Sequence, residues 1–180
     1  MRIETPRLFL REMAPEDYDA LYAVLADSDI MRHYPYTFDE ARVRRWIDKN
    51  MERCRVFGFG LWAVCLKATG GMIGDCGLTM QNINGTILPE LGCHIAKAHQ
   101  RQGYGTEAAR AVRDWTFAHT PFRMVYSYMK EENAPSAAVA RANGMRLLGA
   151  FTDGEGERSV VYGIGRTEWE IQNKRDGCAR

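Results

Sequence analysis

Three groups of residues in this 180-residue chain have types and spacing fit for chemistry. The first is Gln100-Arg101-Gln102-Gly103-Tyr104-Gly105-Thr106. It follows a short apolar run through Leu88, Leu91, Cys93 and Ile95, which reads as a strand, and it opens a helical pattern. A glycine turn at that place bares backbone N–H groups that have no intrahelical partner. The helix dipole adds positive potential, so the turn suits a phosphate. Gln100 and Arg101 stand beside it as further donors. The second group is Glu90 and His94, four residues apart on the strand and therefore on one face. Either can take a proton from a nucleophile, and the imidazole has the ordinary pKa closer to neutrality. The third is Asn133-Ala134-Pro135-Ser136 at a helix start. A hydroxyl there donates a proton without carrying charge, or else satisfies the backbone as a cap.

The rest of the chain must position these groups. Leu8 and Leu10 alternate in a first strand at residues 7–11. Pro15-Glu16-Asp17 starts a helix whose inward face is expected to be Tyr18, Leu21, Tyr22 and Leu25. Residues 31–38 break the pattern and carry Tyr34, Tyr36 and Phe38 in a loop around Pro35. A second helix over 39–53 repeats Val43, Trp46, Ile47 and Met51 at helical spacing, with Arg42, Arg45 and Lys49 on another, solvated face. Strands are expected at 57–66 and 72–80, joined through Gly70-Gly71, and at 86–95 after an Asn84-Gly85 turn. The helix after the glycine turn would bury Ala108, Ala111, Val112 and Trp115 and stop before Pro121. A strand at 124–129, a helix at 135–142 closed by Asn143-Gly144, and strands at 146–151 and 158–164 complete the pattern. Residues 153–157 form the acidic, glycine-rich turn between those last two strands. The expected class is α/β (α+β), one domain over 1–170 with about seven strands and about four helices, then a loose polar tail at 171–180.

Composition excludes several classes. A net charge of +1 gives no case for a nucleic-acid or membrane partner. No apolar run nears the ~20 residues of a membrane span, and the first residues lack the apolar core of a secretory signal. Cys54, Cys65, Cys76, Cys93 and Cys178 are scattered without a C-x-x-C pair. They suggest reduced thiols in a cytoplasmic protein, with no disulfide framework and no structural zinc.

Gln100-Arg101-Gln102-Gly103-Tyr104-Gly105 fits Q/R-x-x-G-x-G/A between a strand and a helix. It resembles the acyl-CoA pyrophosphate loop of the GNAT superfamily of N-acetyltransferases. Asn133-Ala134-Pro135-Ser136, followed by Val139 and Asn143-Gly144-Met145, resembles a segment of the ribosomal-protein alanine N-acetyltransferase (Rim-type) branch. Glu4-Thr5-Pro6-Arg7-Leu8 near the start, and Tyr162-Gly163-Ile164 with Glu168-Trp169 near the end, look like the same branch, so the resemblance covers about residues 3–170. It implies a single mixed, mostly antiparallel sheet with splayed central strands, and acetyl-CoA as co-substrate. It implies transfer of the acetyl group directly to a primary amine, either a protein N-terminal α-amine or a small molecule. Cofactor contacts would come from Cys93, His94 and Ile95, through a backbone N–H of the bulged strand, from Gln100, Arg101, Gln102, Gly103, Tyr104, Gly105 and Thr106, and from Asn133 and Ser136. Ser136 would give the departing thiolate its proton. Ala140 and Arg141 stand where many relatives carry a tyrosine for that task. Glu90 would be the general base, with His94 the lesser candidate; His99 would shape the loop. Tyr34, Tyr36 and Phe38, near His33, would line the acceptor side. A monomer or a homodimer fits equally.

Two rivals remain at this stage. Gly103-x-Gly105-x-x-Ala108 also satisfies a dinucleotide fingerprint, but polar residues separate it from the strand and the next acid, Glu131, is too distant. The chain would otherwise be a non-catalytic acyl-CoA sensor. The acceptor is weighed by magnitude. An α-amine titrates near ~8 and a lysine near ~10.4, so neutralising the lysine at pH 7 costs about 3 kcal/mol more. A site without a strong base suits the α-amine.

Overall fold

A computed structural model describes residues 2–152 and 156–178, so part of the acidic turn at 153–157 lies outside the described residues. The strands are β1 (Arg2–Glu4), β2 (Leu8–Arg11), β3 (Leu61–Leu66), β4 (Met72–Ile83), β5 (Thr86–Ile95), β6 (Met124–Lys130), β7 (Arg146–Thr152) and β8 (Arg158–Gly165). The helices are α1 (Tyr18–Leu25), α2 (Ser28–Met31), α3 (Glu40–Phe57), α4 (Tyr104–His119), α5 (Ala134–Ala142) and α6 (Arg166–Cys178). The strands form one mixed sheet in the order β1-β2-β3-β4-β5-β6-β8-β7. β5 and β6 pair parallel at Glu90 and Tyr126, while β1 to β4 and β6 to β8 pair antiparallel with their neighbours. This mixed sheet is not the parallel one that a dinucleotide fingerprint needs.

Asn84 and Gly85 both have positive φ, +49° and +83°, as a two-residue type I′ turn requires. The Asn-Gly signal was therefore sufficient to set the β4–β5 hairpin. The chain divides into two compact units, Met1–Thr79 with Leu91–Val112 and Met80–Glu90 with Arg113–Arg180.

In the first unit the core gathers Leu21, Val24 and Leu25 of α1, Val43 and Ile47 of α3, and Leu61, Ala63 and Cys65 of β3, with Met31 and Phe38. Val24, not Tyr22, faces inward on α1. Tyr22 instead stacks on Tyr18 at 5.7 Å, and Arg44 covers the Tyr18 ring, so the tyrosines sit at the rim. Asp39 caps α3 by accepting the Arg42 N–H. The helix runs on to Phe57, past the expected end at 53, and stops at Gly58, whose φ of +76° is the left-handed helix stop. The apolar Val56, Phe57 and Phe59 imitate a strand in sequence, but β3 begins at Leu61. The extra strand β1 has one buried residue, Ile3, too few to show a period.

In the second unit the expected tail is helical as far as Cys178. Its sequence has no apolar stripe because its anchors are polar or single. Arg166 donates to the carbonyls of Phe117, Thr120 and Phe122, Trp169 Nε1 donates to Asp114, and the Trp169 ring lies 5.2 Å from Phe117. On α4 the expected Ala108 and Val112 are fully buried, and the buried face is wider than expected. Ala109, Arg113, Thr116 and Phe117 are buried, and Ala111 and Trp115 are half-buried. Arg113 tolerates burial because its Nη1 donates to the Asn143 carbonyl at 2.6 Å and it pairs with Asp114. A charge on the inward face hides its full width.

Candidate active site

β5 carries the first pieces of the site. Leu91 and Ile95 are buried, while Cys93 and His94 are half-buried. Neighbouring β4 closes tightly here. Ala96 N–H donates to the Ile73 carbonyl at 2.8 Å, and a Cβ on Gly74 would lie 2.0 Å from the His94 carbonyl oxygen. Only a glycine lets the two backbones approach this closely. After Ile95 a short 3₁₀ turn, Lys97–His99, leads to the loop. The Gln100 amide donates back to the Ile95 carbonyl at 2.9 Å, and that of Gln102 donates to Ala98 at 3.0 Å. Gln100 thus braces the loop on the strand rather than adding an outward donor. Arg101 is exposed, with φ +58°, and Gly103 has φ +82°. The first α4 bond runs from Glu107 N–H to the Gly103 carbonyl. The N–H groups of Tyr104, Gly105 and Thr106 therefore precede the helical ladder, as an anion-binding helix start requires. The residues present fit a diphosphate.

A clasp holds this loop, and sequence reasoning missed it. Glu107 accepts from the Thr5 hydroxyl at 2.6 Å, the Arg7 N–H at 2.9 Å and Arg7 Nε at 2.7 Å. Arg7 Nη1 also donates to the Gln102 carbonyl at 2.9 Å, and its guanidinium lies over the Tyr104 ring. The Thr5-Pro6-Arg7 motif gave the signal, although spacing alone cannot join residues a hundred positions apart. Burial raises the Glu107 carboxyl pKa, but the hydrogen bonds from Thr5 and Arg7 outweigh it and hold the pKa below the ordinary value. A depressed folded pKa adds stability that is complete above the unfolded value, near ~4.3, and lost as pH falls through the lower folded value. Urea unfolding of wild type and Glu107→Gln should differ most at neutral pH and converge in acid; a gap that persists at pH ~2 would show that the carboxylate charge is not what the clasp uses.

The same unit contains a polar chain through the aromatic loop. Tyr34 Oη lies 2.9 Å from His94 Nε2, and His94 Nδ1 lies 2.7 Å from Asp75 Oδ1. Trp46 Nε1 donates to the other oxygen, Asp75 Oδ2, at 2.9 Å. Asp75 is fully buried. The Tyr34 ring meets Tyr36 and Phe38 edge-on at 5.9 and 5.8 Å, and Arg42 lies over Tyr36. Arg42 therefore packs on the loop and is not part of a uniformly solvated basic face. Phe38 is buried and Tyr36 is exposed. Asp75 and Trp46 were not singled out in the sequence, because β4 reads there as a buried apolar strand and Trp46 as core.

In the second unit, Glu90 is half-buried on β5. Asn133 caps α5, its Oδ1 accepting the Ser136 N–H at 3.2 Å. The cap is thus the asparagine, and the Ser136 hydroxyl is not the capping group. Burial pushes the Cys54 thiol up to about 11 and raises that of Cys65, so neither is a thiolate nucleophile. Among the described residues no group of three or more His, Cys, Asp or Glu side chains is placed to hold a metal ion, and no helix is long and apolar enough to cross a membrane.

Residues 7–146 match the acetyltransferase (GNAT) domain. The uncharacterized protein YkkB of Bacillus subtilis (strain 168) is 32% identical over 145 residues, covering 80% of this chain and 84% of its own. An acetyltransferase (GNAT family) from Bacillus anthracis has the same fold, with a TM-score of 0.82 at 24% identity over 93% of this chain and 99% of that one. A RimL ribosomal L7/L12 α-N-protein acetyltransferase in complex with coenzyme A gives a TM-score of 0.77 at 19% identity, over 92% and 98%.

Proposed function

We propose that this chain, which belongs to the acetyltransferase (GNAT) family and is an acyltransferase, moves the acetyl group of acetyl-CoA directly to a primary amine, a protein N-terminal α-amine in the manner of the Rim-type branch. The observation that carries the reading is the start of α4, where the Gly103 turn bares three N–H groups and is held by Gln100 and by the Arg7–Glu107 clasp. When bound, acetyl-CoA supplies an activated acyl carbon and a thiol leaving group. The loop from Gln100 to Thr106 holds the diphosphate, and the backbone at Cys93, His94 and Ile95 and the Asn133 side chain hold the rest of the donor. Tyr34 and Tyr36 border the acceptor, with Phe38 packed in the core beneath them. Ser136 gives the departing sulfur its proton. The proton of the amine is taken on β5, where Glu90 and His94 are the candidates.

The low identity to RimL leaves the α-amine resting on chemistry. An α-amine needs about 3 kcal/mol less than a lysine to become neutral at pH 7, which favours it as the acceptor. Calorimetric titration with acetyl-CoA, with NAD as control, tests the donor. Saturable heat with acetyl-CoA alone is expected, and its absence would remove the loop from the account.

Ser136→Ala is expected to lower kcat by at least about tenfold while the acetyl-CoA dissociation constant stays within about twofold, since a proton donor acts after binding. Equal kcat in the variant would leave the serine with no part in the chemistry.

A further inference from the structure

We propose that Tyr34, His94 and Asp75 form a proton relay that deprotonates the attacking amine, with His94 as the final acceptor. This rests on the reading of the chain as an amine acetyltransferase. With the Asp75 carboxylate ionised and the His94 ring neutral, the hydrogen-bonding chemistry sets the direction of the relay. Asp75 is fully buried, and its carboxylate can only accept hydrogen bonds. Trp46 Nε1–H, a pure donor, occupies Oδ2. Oδ1 is left for His94 Nδ1, which must therefore carry a proton. In the neutral ring Nε2 is then the acceptor nitrogen, and the Tyr34 hydroxyl, 2.9 Å away, is placed to donate to it. The groups packed on the imidazole include Asp75 from β4, Tyr34 from the segment after α2, and the uncharged Trp46 from α3, 6.0 Å away ring to ring. The His94 side chain is 12% exposed, so water competes little for these bonds.

The step balances as follows. The amine nitrogen forms its bond to the acyl carbon and passes one proton to Tyr34 Oη. Tyr34 passes its own proton to Nε2 of His94, and the imidazolium is stabilised by the Asp75 carboxylate behind it. The carbon–sulfur bond then breaks with its electron pair on sulfur, which takes one proton from the Ser136 hydroxyl, and the serine regains one from water. Nitrogen has lost one proton and sulfur has gained one. His94 returns its proton to water before the next turnover. Tyr34 is the catalytic residue in this scheme, while His94 and Asp75 act through it as positioning and accepting groups. A buried carboxylate behind an imidazole holds the tautomer and steadies the charged ring.

The test compares Tyr34→Phe, His94→Gln, Asp75→Asn and Glu90→Gln with wild type, reading kcat across pH and the acetyl-CoA dissociation constant. Tyr34→Phe keeps the ring and its edge contacts, so it folds even if the buried variants do not. It is expected to lose about a hundredfold in kcat with acetyl-CoA affinity within about threefold. His94→Gln should lose as much and should abolish the acidic limb of the pH profile. Asp75→Asn tests the tautomer. With its oxygen held by Trp46, the amide nitrogen would donate to Nδ1, the ring would carry its proton on Nε2, and Tyr34 would have no acceptor. Its kcat should fall like that of His94→Gln. Tyr34→Phe with wild-type kcat would overturn the relay. So would an acidic limb lost in Glu90→Gln and kept in His94→Gln, which would make Glu90 the base. A wild-type protein that acetylates no amine would instead defeat the acetyltransferase reading, and the relay with it.

Discussion

Replacing Gly103 with glutamate weakens acetyl-CoA binding at least about a hundredfold. Two effects combine. Gly103 sits at φ +82°, a conformation that disfavours any residue with a Cβ by roughly 1–2 kcal/mol, so the turn shifts. The larger effect is electrostatic. A carboxylate at the head of α4 stands where the helix dipole and three bare N–H groups favour an anion. Two like charges ~5 Å apart at an effective dielectric of ~20 repel by about 3 kcal/mol, enough for a hundredfold. A Cβ at this position also lies 3.3 Å from Arg7 Nη2, so the new side chain crowds the clasp. Gly103→Gln has similar strain without the charge and should lose far less affinity. Equal titration curves for wild type and Gly103→Glu would separate the turn from the donor altogether.

Gly74→Ala destabilises the protein by roughly 3 kcal/mol or more and removes activity at the same time. The added methyl would lie 2.0 Å from the His94 carbonyl oxygen and 3.0 Å from the Ile95 Cα. No rotamer relieves a clash between Cβ and backbone, so β4 and β5 must part. Parting them strains the Ala96–Ile73 bond and moves the Ile95 carbonyl that anchors Gln100. It also pulls Asp75, the next residue on β4, from His94. For a chain of this length such a loss lowers Tm by roughly 6–12 °C. Thermal unfolding and acetyl transfer measured on the same preparation check both parts. A variant with wild-type Tm would show that the strands separate there at little cost.

The sequence announced what is local. Asn84-Gly85 gave a two-residue turn, and Gly103 and Gly105 gave a turn at a helix start; each lies within a few residues of what it organises. The clasp was only half legible. Thr5-Pro6-Arg7 stood out by resemblance, but nothing in spacing ties Arg7 to Glu107. The Tyr34–His94–Asp75–Trp46 chain was less legible still. Its members come from a loop, two strands and a helix, and the sheet register decides that Asp75 faces His94. An aspartate inside the run Ile73-Gly74-Asp75-Cys76 was the available clue, since a charge in a buried strand requires partners. Ala108 and Val112 of α4 were legible as its inner face, but Arg113, buried and paired, hid how far that face extends. The helix Arg166–Cys178 gave no warning, because it docks through Arg166 and Trp169 and not through a stripe.

The measurement that tests the account most directly is acetyl transfer to a peptide with a free N-terminal α-amine and one internal lysine. Release of thiol is followed in solution, and the modified nitrogen is located by fragment mass spectrometry. The account predicts thiol released in step with one acetyl group on the α-nitrogen, and none on a peptide whose N-terminus is blocked. Acetylation of the lysine alone would contradict the assigned acceptor, and release of thiol without any acetylated peptide would contradict direct transfer to this amine.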